Sequence, residues 1–272
     1  MEFFDKDIVA NALEQQFAFI SIEVANHIMT LTLDREAKKN AIHPHMVQEI
    51  AFAMQFAKQN HEVRVIVIEA KGDVFCAGAD LKAFMGMVGE FDSSIPKANG
   101  EVLLGELFNK VHKPVITKVE GTVKAGGFFF LAGATYVMCN QGVKLGLPEV
   151  KRGLFPFQVM AALLEIMPKR AVMDWCIRGY DLDVENAKEL GLITHVTTAD
   201  TIDQEVQKLA DEIKASSPTA VRYGLEALDA INEQTSKHQY LMQMLQKTIS
   251  SKDGQEGLLA FQQKREPVWT GE

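Results

Sequence analysis

A chain of 272 residues with 47% hydrophobic content can bury a full core as one large domain, and its formal net charge of −8 argues against a nucleic-acid or anionic-membrane surface, since those need concentrated Lys and Arg. The three cysteines, Cys76, Cys139 and Cys176, lie far apart with no C-x-x-C pair, which argues against a disulfide framework and reads as a reduced intracellular protein. The segment Met1 to Asp7 has neither a signal peptide's basic region nor a transit peptide's Arg/Ser bias, and no apolar run reaches the roughly 18 residues of a membrane span, so cytoplasm is the expected location.

Two β-forming runs, Phe19 to Val24 and Ile28 to Leu33, flank Ala25-Asn26-His27 and read as a hairpin. A helix is expected from about Pro44 to Lys58, where Val47, Ile50, Met54 and Ala57 recur at helical spacing. Strands follow over Arg64 to Ala70 and Val115 to Val119, separated by the low-regularity stretch Met85 to Gly100 and a helix over Glu101 to Val111. Loops of that length are usually functional or mobile. Beyond Gly153 the pattern predicts helices at about Gln158–Ile166, Lys169–Arg178, Asp183–Leu190, Thr201–Ala215, Thr219–Asn232, Gln239–Ile249 and Gly254–Lys264, with one strand at Leu192–Val196. Strands alternating with helices imply an α/β fold with a mostly parallel sheet. The expected division is an α/β core over residues 1–200, carrying the site, and a helical region over 201–272.

Two segments carry chemistry. Phe75-Cys76-Ala77-Gly78-Ala79-Asp80-Leu81-Lys82 and Lys124-Ala125-Gly126-Gly127-Phe128 each follow a β-type run and lead into a helix-like stretch, so each can present free backbone N–H groups at a helix start. Two such donors aimed at one point make an oxyanion hole. Downstream, Leu147-Pro148-Glu149 places one carboxylate on a Gly/Pro-rich loop, where it could move a proton at the carbon beside the polarised carbonyl. An apolar cleft would raise its pKa toward the value a proton shuttle needs. The seven histidines show no metal-ligand spacing, so no metal site is expected, and there is no phosphate-binding glycine loop. Cys76 lies within the first motif but is not expected to act as a nucleophile.

The order and spacing of these motifs resemble the crotonase (enoyl-CoA hydratase/isomerase) superfamily, from about Ile20 to Trp269. The resemblance implies a spiral of ββα turns, a C-terminal helical region that mediates trimer formation, an acyl-CoA thioester substrate, no separate cofactor, and a homotrimer or a dimer of trimers. It assigns the Ala79 and Gly126 amides to the thioester oxygen and Glu149 to acid/base catalysis, and sets Met85–Gly100 beside the acyl chain. Asp34-Arg35-Glu36-Ala37-Lys38-Lys39-Asn40-Ala41-Ile42 resembles the family's CoA turn, with Glu36 in place of the usual Pro. Arg35, Lys38 and Lys39 are its candidates for phosphate contact. Ala41, Ala77, Asp80, Leu81 and Phe129 complete the expected CoA and acyl contacts, and Phe261 and Lys264 in the F-x-x-K-R-x-P ending would meet the nucleotide end. One position departs: hydratases with a two-glutamate site carry their first Glu where this chain has Phe129. A lone carboxylate suffices for 3-enoyl to 2-enoyl isomerisation, while hydration more comfortably uses two. The rival expectations are a catalytically degenerate acyl-CoA-binding protein and a dehydratase acting on a carrier-protein substrate.

Overall fold

The computed structural model describes residues 2–232 and 249–268, with 242, 245 and 246. Most of the expected Gln239–Ile249 helix, and Trp269, lie outside the described residues. After helix α1 (Lys6–Ala10), strands β1 (Ile20–Ala25) and β2 (Ile28–Leu33) pair antiparallel around Asn26 and His27. Both turn residues have positive φ, 49° and 67°, as a two-residue turn matched to strand twist requires. Helix α2 (Pro44–Gln59) starts with Pro at its first turn, and the His43 imidazole accepts the His45 N–H. Its apolar stripe is wider than the sequence pattern suggests, because Glu49 and Gln55 are buried as well. Each finds backbone partners: Glu49 accepts from the amides of Ala18 and Phe19, and Gln55 from those of Phe3 and Phe4, so neither side chain is left unsatisfied in the core.

From here the chain repeats one unit. Strands β3 (Val65–Ala70) and β4 (Val74–Cys76) lead to helix α3 (Leu81–Phe84). After helix α4 (Leu104–Lys110), strands β5 (Val115–Val119) and β6 (Thr122–Lys124) lead through a 3-10 turn, Ala125–Phe128, to helix α5 (Phe129–Ala132). Strands β7 (Tyr136–Asn140) and β8 (Leu145–Gly146) lead through a 3-10 turn, Glu149–Arg152, to helix α6 (Phe157–Leu163). The first strand of each unit joins a large sheet and the second a small one. Helix α7 (Lys169–Arg178), strand β9 (Asp181–Leu182), helix α8 (Val184–Glu189) and strand β10 (His195–Thr197) complete the core. The large sheet runs β1-β2-β3-β5-β7-β10, parallel except for its hairpin edge, and the small one runs β4-β6-β8-β9. Patterning predicted the first sheet and missed the second, whose strands are two or three residues long and show no alternation to read.

Helices α9 (Ile202–Lys214), α10 (Pro218–Asn232) and α11 (Lys252–Gln263) follow. Ile202, Val206 and Ala210 of α9 pack on Val65, Val67, Ile116 and Met138, closing the outer face of the large sheet, and Lys118 on β5 reaches Asp203 at 2.5 Å. Helix α11 docks on the 3-10 turn of Glu149, with Gly257 so close that a Cβ there would stand 2.3 Å from the Arg152 carbonyl oxygen. No described helix is long and apolar enough to cross a membrane.

Candidate active site

Strands β4, β6 and β8 are parallel neighbours, with Cys76 opposite Val123 and Lys124 opposite Gly146. Adjacent strands lie about 4.8 Å apart, so three segments far apart in sequence leave the same sheet edge side by side: Ala77–Ala79 after β4, Ala125–Gly126 after β6, Leu147–Glu149 after β8. This register brings the motifs together.

The turn before α2 straps the first motif. Ala77 N–H donates to Lys39 O (3.0 Å), Ile42 N–H to Gly78 O (2.8 Å) and Asp80 N–H to Ile42 O (2.9 Å). The Ala79 amide, between them, has no acceptor among the described residues. Gly126 occupies the first turn of its 3-10 helix, where amides have no intrahelical acceptor. A Cβ built on Gly126 would lie 3.8 Å from the Ala79 nitrogen, so the space before Gly126 faces that free amide. Gly78 makes the approach possible. Its φ is +92°, and a Cβ there would meet that of Ala125 at 2.7 Å. Ala125 itself holds a φ of +52°, the kind of local strain that concentrates at functional turns.

Glu149 opens the third turn, which Gly153 closes at φ +71°. Its Oε2 is buried with no hydrogen-bond partner among the described residues. Burial pushes its pKa up from 4.5 to about 7, against a smaller opposing pull from its own amide and Arg152. A carboxyl poised near neutrality can both take and give a proton. Burial pushes the Cys76 thiol up to about 12, which removes it as a nucleophile.

A cavity of about 320 Å³ opens in front of the two amides, walled by Ile42, Val47, Phe84, Val102 and Leu104 and by Phe129. Phe129 is packed: its ring lies 3.1 Å from where a Cβ on Gly105 of α4 would stand. Glu149 is not part of this wall and belongs to the neighbouring strand end, beyond Gly126. The Met85–Gly100 stretch borders the cavity with Lys97, Ala98 and Gly100, and is held by Val88 O on the His43 ring (3.1 Å) and Ala98 N–H on Gln48 (3.1 Å).

Arg35, one of the expected phosphate contacts, is engaged within the chain. Its guanidinium pairs with Asp80 at 2.8 Å, donates to Ala41 O at 2.9 Å and lies 5.0 Å over the Phe19 ring. Arg35 is therefore a brace between the first two turns. Asp80 accepts from the Ala83 N–H at the start of α3, so it too is occupied; burial would raise its pKa, but Arg35 and Ala83 outweigh that and hold it low. Lys38 and Lys39 are exposed on the same turn and free to meet an anion, while Ala41, Ala77 and Leu81 are half-buried around it. Phe261 is 54% exposed on α11 with the Arg152 guanidinium 4.5 Å over its ring, and Lys264 ends that helix in the left-handed region. Within one chain the Phe261 ring thus stands by the Glu149 turn. Sequence reasoning missed Asn40, fully buried: it accepts the Arg35 N–H and donates to Lys71 O and Val74 O. Its place in the Arg35-to-Ala41 motif was the available signal. Glu101 and Gln158, both in the cavity wall, were missed with no signal to find them.

The family model for enoyl-CoA hydratase/isomerase matches residues 23–272. The chain belongs to the enoyl-CoA hydratase/isomerase family. Carnitinyl-CoA dehydratase of Proteus mirabilis is 30% identical over 252 residues, covering 90% of this chain and 95% of the relative. Mevalonyl-coenzyme A hydratase sidH of Aspergillus fumigatus is 27% identical over 89% of this chain and 91% of its own. Among solved structures, carnitinyl-CoA hydratase from Mycobacterium avium superposes with a TM-score of 0.81 at 25% identity, over 94% of this chain and all of the other. Methylmalonyl CoA decarboxylase, at 19% identity and TM-score 0.79, shares the fold. The ββα units are thus the crotonase spiral, and the chain belongs to an enzyme family whose relatives named here are hydratases and dehydratases, enzymes of the lyase type.

Proposed function

We propose that this protein moves a proton at the carbon next to the thioester carbonyl of an enoyl-CoA, with the Ala79 and Gly126 amides holding the carbonyl oxygen and Glu149 as the proton shuttle. The observation that carries the reading is a buried Glu149 oxygen with no hydrogen-bond partner among the described residues, held near neutral pKa at the strand end next to the one that carries Gly126. As the proton leaves, negative charge builds on the thioester oxygen. Removing one oxyanion donor costs roughly 10²–10³-fold in comparable acyl sites, so the amides supply a large share of the rate. The resulting enolate can be reprotonated elsewhere, which isomerises the double bond, or serve as the intermediate for adding or losing water. Phe129 in the cavity wall favours the first outcome. The hydratase and dehydratase names of the relatives favour the second. Exposed Lys38 and Lys39 are the proposed phosphate contacts of CoA. A homotrimer or a dimer of trimers in the cytoplasm is the expected setting, measurable by light scattering and fractionation.

The test is to incubate the protein separately with 2-trans-enoyl-CoA and 3-enoyl-CoA and follow the conjugated thioester absorbance, with deuterium uptake at the α-carbon as a third readout. Gain of absorbance from 3-enoyl-CoA marks isomerisation, and loss from 2-enoyl-CoA marks hydration. Silence in all three, with CoA binding intact, would refute the reading and leave an acyl-CoA-binding or carrier-protein role.

A further inference from the structure

Hydration needs a group that holds and deprotonates the water attacking the β-carbon, and Phe129 cannot be that group. The cavity that contains both oxyanion amides has one carboxylate among its described lining residues, Glu101. It sits three residues before α4, whose Gly105 bears directly on the Phe129 ring at 3.1 Å from its Cβ position. Glu101 and Phe129 thus line the same cavity, Glu101 four residues before the glycine that packs on the Phe129 ring. Its side chain has no hydrogen bond or ion pair among the described residues. The backbone around it is free to adjust. Asn99 N–H is tied to Phe3 O at 2.7 Å, but the next residue, Gly100, has a φ of +104° with open space around it.

Resting on the α-proton chemistry proposed above, we infer that Glu101 is the second carboxylate of the site, the one that holds and deprotonates water, so that the enzyme hydrates 2-enoyl-CoA and dehydrates 3-hydroxyacyl-CoA despite Phe129. In the hydration direction the water oxygen bonds to the β-carbon and one water proton passes to Glu101. The electron pair of the double bond moves onto the thioester oxygen, held by the Ala79 and Gly126 amides. Glu149 then gives its proton to the α-carbon and the carbonyl reforms. Glu101, exposed at the cavity mouth, releases its proton to solvent, and Glu149 takes one up. Dehydration is the same path reversed.

The experiment compares wild type, Glu101→Gln, Glu101→Asp and Glu149→Gln in two assays: hydration of short- and medium-chain 2-enoyl-CoA, and deuterium uptake at the α-carbon of saturated acyl-CoA. Glu101→Gln should lower kcat for hydration by about 10²–10⁴-fold with KM and deuterium uptake within threefold of wild type, and Glu101→Asp should recover part of the loss. Glu149→Gln should lose both reactions. Hydration by Glu101→Gln within threefold of wild type, or a change confined to KM, overturns the assignment. So does a wild-type protein that exchanges the α-proton but hydrates no chain length, a result that spares the proton-shuttle reading. Absence of α-proton exchange in wild type would instead sink that reading.

Discussion

Glu149→Gln separates what the carboxylate does for the reaction from what it costs the fold. The substitution keeps shape and ends proton exchange, so kcat should fall by about 10²–10⁴-fold, the usual worth of a positioned acid/base. Stability should move the other way. A carboxyl held at about 7 instead of 4.5 by burial costs the folded state on the order of 3 kcal/mol once ionised, at 1.36 kcal/mol per pH unit. Below pH 4.5 both states carry the proton and the cost is absent. Between 4.5 and 7 the unfolded chain releases its proton first, the folded chain binds more protons, and stability falls with rising pH until Glu149 has ionised in both. Glutamine has no such proton. The variant and the wild type should therefore melt alike near pH 4, and the variant should melt several degrees higher at pH 8. Thermal melts at the two pH values, with turnover on the active enoyl-CoA, check both halves. More than half of wild-type turnover, or a pH 8 melt no higher than wild type, would refute the role and the burial argument respectively.

Gly126→Pro and Ala79→Pro each remove one proposed donor and should lower kcat by about 10²–10³-fold in protein whose melt and circular dichroism show it folded; a folded, fully active Gly126→Pro protein rules the geometry out. Gly78→Ala combines a φ of +92° with a Cβ placed 2.7 Å from that of Ala125, and should cost about 1–3 kcal/mol in urea titration, where an unchanged midpoint contradicts the crowding. Gly257→Ala would drive a methyl against the Arg152 carbonyl and so push α11 off the Glu149 turn. We expect a loss of about 1–3 kcal/mol with a reduced kcat, and wild-type values of both would deny that the helix sets the turn. Phe129→Glu should restore part of the hydration lost in Glu101→Gln; failure of the double variant, with folding intact, would show that position 129 cannot hold the water.

The long elements were legible because burial and punctuation agree there. Helix α7 was read to the residue, bracketed by Pro168 and by Gly179 at φ 61°, and β5 likewise, since all five of its residues are buried. The elements that deliver the site were not. Strands β4, β6 and β8 span two or three residues each, too few for an alternation, and their pairing comes from the spiral that brings successive units into register. The motifs nevertheless stood out, since a side chain at Gly78 would strike the Ala125 Cβ at 2.7 Å and one at Gly126 would press on Ile42 Cδ1 at 3.2 Å, and such constraints leave a mark in composition that a short strand does not.

What the sequence concealed was which charges are already spent. Arg35, Lys38 and Lys39 look equivalent on a basic turn, yet Arg35 is neutralised by Asp80, 45 residues on, and shielded by Phe19. A planar guanidinium suits bridging a carboxylate, a carbonyl and a ring at once, so chemistry gives the reason once the fold has supplied the neighbours. Glu101 is the reverse case. Nothing in its own stretch marks it, and it becomes interesting because it lines the cavity that Phe129 also lines, a carboxylate with no partner among the described residues where the Ala79 and Gly126 amides are also found. A reaction centre of this kind is a set of unmet needs, two donors without acceptors and a carboxyl oxygen without a donor. A missing residue at the motif position counts against a reaction only after the cavity has been searched for another group that could meet the same need.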